Sequence, residues 1–240
     1  MLAVAVIPSN QDNNHPPAGF PAPYDAYSEA GGADEIGRRV VSEFARRGVT
    51  VSYWRPLMES ADTAGYAGLA AKMREACNWL RLQPLGTTIC ALHIHTNAAR
   101  TPQEGASHTG YCYGTVEGAR LGRKIALKVG QVLGLPIVAY DYTARQYLFD
   151  TLFPGIPSTI LEITRHDRLP DLTALYARID AVSVAIVDGA LAWAGENVPP
   201  PAPTPPGPDT LRRVLDDLWA LSEDTHPAVM RAKTLIGGWG

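Results

Sequence analysis

Cysteine is scarce in this 240-residue chain: Cys77, Cys90 and Cys112 are all there are, and no CxxC pair occurs. An odd count without close pairing is a poor disulfide framework, so the three read as buried free thiols. Long apolar runs are missing too, and none approaches the roughly 18 residues of a membrane-spanning helix. Nor is there an excess of one charge, since 21 Lys and Arg face 24 Asp and Glu for a net −3. Without a basic face, neither nucleic acid nor an anionic membrane is a favoured partner. A GxGxxG after a strand, a GxxxxGK[ST] loop and a GxSxG elbow are also absent. That argues against dinucleotide, P-loop and nucleophile-elbow chemistry. The opening segment 1–7 is apolar but has no basic flank and no small-residue cleavage site, and Pro8 ends it. It reads as a first strand rather than a signal peptide, so any export is expected to need help from elsewhere.

What is present organises the chain clearly. Residues 199–208 read PPPAPTPPGP, a stiff extended spacer that cannot build a core. The expected organisation is a main domain at 1–198, a Pro-rich linker at 199–208 and a small helical segment at 209–240. That last segment is too small to be stable alone and is a possible route to oligomers. In the main domain, strand-like runs at 2–7, 49–53, 87–94, 110–114, 136–140 and 157–163 alternate with helical spacing at 34–47, 64–82, 117–133 and 170–193. The helix at 34–47 has Ile36, Val40, Val41 and Phe44 on one face and Gly48 after it. This pattern predicts an α/β fold: a mostly parallel, twisted sheet of about six strands, helices on both faces, and a short C-terminal helical tail.

In such sheets the site lies beyond the carboxyl ends of the strands. Those ends carry PSNQDNN at 8–14, HIHTN at 93–97 and Glu162 followed by Arg165, His166 and Asp167. Glu35 at a helix start and His95 at a strand end make a plausible metal-binding pair, because zinc accepts both imidazole nitrogen and carboxylate oxygen. Glu162 stands among Ile160, Leu161 and Ile163, where an ionised carboxylate needs a partner or a function. It suits general acid/base work. Each of these residues also has an ordinary structural reading, as a hydrogen-bonded strand histidine or a loop-facing glutamate.

The ordered segments IPSNQ (7–11), ADEIGRRVVSEFARRGVTV (33–51), HIHTNA (93–98) and PSTILEITRHD (157–167) resemble the zinc-dependent N-acetylmuramoyl-L-alanine amidases of the amidase-3 type, over residues 2–194. The likeness is closest to phage and prophage endolysin-like members. It implies hydrolysis of the amide between N-acetylmuramic acid and L-alanine in bacterial peptidoglycan, by water activated on Zn2+. It also implies release of the protein from the cytoplasm to the wall. By the same resemblance Glu35 and His95 are zinc ligands and Glu162 is the catalytic glutamate. Asn97 supports the loop beside the ligand histidine and, with Arg145 and Tyr24, is a substrate-binding candidate. His93 takes a position usually held by a small residue and is read as structural.

One position departs from the pattern. The family's first zinc ligand is a histidine in the loop after the first strand, where this chain has Asn10 followed by Gln11. A neutral amide is a poor zinc ligand beside imidazole. Three readings follow: Asn10 or Gln11 is a weak third ligand; another histidine substitutes, His108 first and His15 or His166 behind it; or the metal is absent. The last makes the chain a non-catalytic cell-wall-binding module. A zinc peptidase acting on another amide is a further alternative. The loop HPPAGFPAPYDAYSEAGG (15–32) is long enough to be functional. Its Phe20, Tyr24 and Tyr27 suit either stacking on a ligand or packing of the loop itself.

Overall fold

The computed structural model describes residues 1–58, 67–98, 106–141 and 153–195. The expected linker at 199–208 and the helical segment at 209–240 lie outside them. In chain order the elements are β1 (Leu2–Pro8), α1 (Glu29–Arg46), β2 (Thr50–Tyr53), α2 (Ala67–Arg81), β3 (Thr88–Asn97), β4 (Thr109–Tyr113), α3 (Val116–Leu133), β5 (Ile137–Asp141), β6 (Ser158–Arg165), α4 (Leu169–Ala177) and α5 (Ile179–Ala194). The six strands form one sheet in the order β2-β1-β3-β6-β4-β5. Pairing is parallel except between β4 and β6, which run antiparallel. The expected α/β architecture, with helices on both faces, is what the chain adopts.

β1 is buried at every residue, as a parallel strand covered on both faces must be. Alternation along it feeds two cores. Leu2, Val4 and Val6 join Ile36, Val40 and Phe44 of α1, Leu121, Ile125 and Val129 of α3, and Val182 and Ile186 of α5. Ala5 and Ile7 join Met73, Ala76, Cys77 and Leu80 of α2 on the other side. Each large aliphatic side chain so buried contributes about 1.5–3 kcal/mol. All three cysteines are buried and free, as expected.

Helix ends follow local chemistry. The Ser28 side chain accepts from Gly31 N and caps α1, and Thr115 caps α3 through Gly118 N. Gly134 and Gly195, in left-handed conformation, close α3 and α5. The helix expected over 170–193 is two helices, because Arg178 leaves helical dihedrals at φ −131, ψ 19. The structure also starts α1 at Glu29, five residues before the expected 34. Among the described residues, no helix is long and apolar enough to cross a membrane.

Candidate active site at the carboxyl edge of the sheet

The loop after β1 is tied down on two sides. Ser9 N donates to Ile94 O at 2.8 Å, fixing it to β3. Glu29 N donates to Asn14 O at 2.9 Å and Ala30 N to Gln11 O at 3.3 Å, so loop carbonyls take up the orphan donors of the first turn of α1. The result puts the Glu29 side chain inside the loop and against the end of β3.

Glu29 is 1% exposed and is the centre of a hydrogen-bond cluster. Its Oε1 lies 2.8 Å from His95 Nδ1, and its Oε2 accepts from Asn14 Nδ2 at 2.6 Å. With its amide nitrogen turned inward, Gln11 donates to Oε2 and Oε1 at 2.9 and 3.2 Å. Burial alone would raise the Glu29 pKa. Hydrogen bonds from His95, Ser9 and Asn14 and the charge of His95 hold it below the ordinary carboxylate value instead. For His95, burial would lower the pKa, but the hydrogen bond and charge of Glu29 and the charge of Glu162 outweigh it and raise the value.

Glu162 stands beside this pair. It is the direct β6 partner of His95 on β3, so both side chains rise from the same sheet face. Burial pushes the Glu162 carboxyl up to about 7; His95 opposes the rise and Glu29 adds to it. A carboxyl with a pKa there can take and return a proton near neutral pH.

Glu35 is not part of the cluster. It sits two turns into α1, 42% exposed, paired with Arg39 at 3.0 Å. The carboxylate that meets His95 is Glu29. Gly31 and Gly32 make 29–33 a weak helix on propensity, which hid the true start; Ser28 as a capping residue was the signal that marks it.

The remaining candidates are placed as follows. Gln11 belongs to the cluster. Asn10 is buried with its amide donating to Leu57 O at 3.2 Å. His108 is held elsewhere, with Nδ1 donating to Ala106 O at 3.0 Å and Nε2 lying 2.6 Å from Tyr140 Oη. His15 Nδ1 donates to Tyr27 O at 2.8 Å, and His166 Nδ1 lies 3.0 Å from Thr96 Oγ1. Asn97 Nδ2 donates to Tyr140 Oη at 3.3 Å. Tyr24 packs edge-on against Tyr176 at 5.6 Å, and Tyr27 is buried with its hydroxyl 2.8 Å from Thr96 Oγ1, so both serve the packing of their loop. His93 is buried against Phe153. Arg145 lies outside the described residues. Glu29 and Tyr140 are the two residues at this edge that sequence reasoning did not name.

Among the described residues, no group of three or more His, Cys, Asp and Glu side chains converges to hold a metal ion. Glu29 and His95 nevertheless supply a carboxylate and an imidazole nitrogen 2.8 Å apart. With its carbonyl rather than its amide nitrogen turned inward, Gln11 would add an oxygen facing acceptors only. A carboxylate, an imidazole nitrogen and an amide oxygen are ligand types that a divalent cation accepts, although in this structure His95 Nδ1 is engaged in its hydrogen bond to Glu29.

No protein-family model and no curated protein matches the chain. Solved structures do. The catalytic domain of an endolysin targeting Clostridia difficile is similar at 12% identity and a TM-score of 0.59, over 83% of this chain and all (100%) of that one. An N-acetylmuramoyl-L-alanine amidase of Nostoc punctiforme is similar at 17% identity and TM-score 0.59, over 81% and 98%. The catalytic domain of an N-acetylmuramoyl-L-alanine amidase from Bacillus (Paenibacillus) polymyxa is similar at 15% identity and TM-score 0.59, over 82% and 100%. The chain shares the fold of these three proteins.

Proposed function

We propose that the chain is a peptidoglycan amidase, hydrolysing the amide between N-acetylmuramic acid and L-alanine. The observation that carries this reading is Glu162, a carboxyl brought to a pKa of about 7 directly across from the Glu29–His95 pair. The amidase fold of the solved neighbours supports the choice of substrate.

Zn2+ is the expected cofactor. Glu29, His95 and the Gln11 carbonyl are the groups that would hold it, in place of the expected Glu35, and such an ion supplies Lewis acidity toward a carbonyl and toward water. The protein side chains do the rest. Glu162 takes a proton from the attacking water as the new carbon–oxygen bond forms. It returns that proton to the amide nitrogen as the carbon–nitrogen bond breaks, releasing a carboxylic acid and the amine of L-alanine. Asn14 and, in the metal-free protein, Gln11 hold the Glu29 carboxylate in place.

The endolysin neighbour supports a lytic role, and with that role we propose a phage or prophage origin and release from the cytoplasm to the wall. One observation favours a second reading, a non-catalytic wall-binding module: the third ligand position is an amide where histidine is the stronger zinc donor. Turbidity of purified cell walls, with and without added zinc, tests between the two. Clearing by the wild type and none by Glu162→Gln supports the amidase. Wall binding without clearing, and without retained zinc, supports the module. Release of L-alanine from a free peptide but not from muramic acid points to a peptidase.

A further inference from the structure

The register of the sheet draws a row of groups across three strands. His95 of β3 pairs with Glu162 of β6, and Glu162 pairs with Gly110 of β4. Directly paired residues rise on the same face, with strands about 4.8 Å apart. The third place in the row therefore has no side chain of its own. It is filled from the next strand by Tyr140 of β5: a β-carbon at Gly110 would lie 2.7 Å from Tyr140 Cε2 and 3.0 Å from Glu162 Cβ. Glycine inside a strand weakens it and often marks a close approach to the backbone. Here the approach brings a phenol ring beside Glu162, on the side away from His95.

The hydroxyl of that ring is fixed by two further strand ends. Asn97, the last residue of β3, donates Nδ2 to Tyr140 Oη at 3.3 Å. His108, just before β4, lies with Nε2 2.6 Å from the same oxygen. Its Nδ1 faces the Ala106 carbonyl at 3.0 Å, which only accepts, so Nδ1 carries a proton and, in the tautomer with Nδ1 alone protonated, Nε2 accepts from the phenol. Residues from β3, the segment before β4, and β5 thus converge on one oxygen at the same edge that carries Glu162.

We propose that Tyr140 is a substrate-contacting residue, whose hydroxyl hydrogen-bonds the amide group lying over Glu162, opposite His95. Asn97 and His108 act through it: they position the phenol and do not touch the metal or the reacting atoms. The ligand class is a secondary amide of a muramyl peptide, and this choice of ligand rests on the amidase reading. A hydroxyl already held by two side chains gives up little rotational freedom on binding, which favours contact over a free surface tyrosine.

The test uses the full chain and a soluble muramyl-L-alanyl peptide. Tyr140→Phe keeps the ring and its packing on Gly110 but removes the oxygen. KM is expected to rise about fivefold through loss of one neutral hydrogen bond in the bound state, with a smaller change in kcat. The melting temperature is expected to fall by only a few degrees, because the bonds to Asn97 and His108 go with the oxygen while the protein stays folded. His108→Gln retains an acceptor and is expected to lose less than His108→Ala. A KM for Tyr140→Phe within twofold of wild type overturns the proposal, as does a KM effect that only accompanies loss of folded protein. Dissociation constants of the same peptide, from equilibrium dialysis, separate this idea from the amidase reading. If the wild type binds the peptide without cleaving it, the amidase reading fails, and a fivefold weaker Kd for Tyr140→Phe still supports the contact while an equal Kd overturns it. If the wild type does not bind the peptide at all, both fall.

Discussion

Glu29 and His95 meet across 66 residues of sequence, Oε1 to Nδ1 at 2.8 Å, and almost all of the carboxylate is out of solvent. Truncating one member of a buried charged pair leaves the other uncompensated and costs about 3–5 kcal/mol. Glu29→Ala is therefore expected to lose about 3 kcal/mol in denaturant unfolding and all detectable amidase activity. Glu35→Ala removes only an exposed pair with Arg39 and is expected to change stability by less than about 0.5 kcal/mol and to keep activity. The opposite ranking would return the site to Glu35.

The raised pKa of Glu162 makes a prediction about pH, best measured in chelator so that metal loading does not intervene. The carboxyl moves from 4.5 to about 7 on folding. Its folded pKa lies above its unfolded one, so any stability linked to its proton is present below about 4.5 and lost as pH rises through about 7. Glutamine has no such charge to bury. Glu162→Gln should thus match the wild type near pH 4 and exceed it at pH 8.5 by about 1–2 kcal/mol, partial exposure being allowed for. Equal stability at both pH values would mean that Glu162 is not desolvated.

Much of this was legible beforehand, and the failures have identifiable physics. Apolar runs and helical spacing gave the six strands and the main helices, because β1 and the faces of α1 and α3 bury what their periodicity says they bury. The antiparallel β4–β6 pair was not legible, since strand direction depends on the path of the chain and not on a short apolar run. Glu29 was missed because two glycines in the first turn outweighed a serine cap. Tyr140 was missed because its place depends on an absence, the side chain that Gly110 lacks on a neighbouring strand.

The two large helices on one face also cross closely. A β-carbon at Gly189 of α5 would lie 2.5 Å from Ile125 Cα and 2.9 Å from Ile125 N of α3. Backbone cannot rotate away as a side chain can. Gly189→Ala is expected to lower stability by about 1–3 kcal/mol through overpacking, even though alanine favours helix. A thermal melt at or above the wild type would contradict the tight crossing.

The third metal donor can be strengthened deliberately. Gln11→His replaces an amide oxygen with imidazole at the position that faces Glu29. Zinc affinity, measured by competition with a coloured chelator, is expected to rise about tenfold or more, roughly 1.4 kcal/mol. Gln11→Ala is expected to weaken it. Affinity unchanged by either substitution would place the ion, if one binds, away from Gln11.

The most direct measurement is chemical. Purified peptidoglycan is treated with the zinc-supplemented protein, and newly exposed amino termini are identified. Free L-alanine amino groups are expected with the wild type and none with Glu162→Gln. Equal release from the two proteins, or walls left intact under zinc-loaded wild type, would contradict an amidase that works through Glu162.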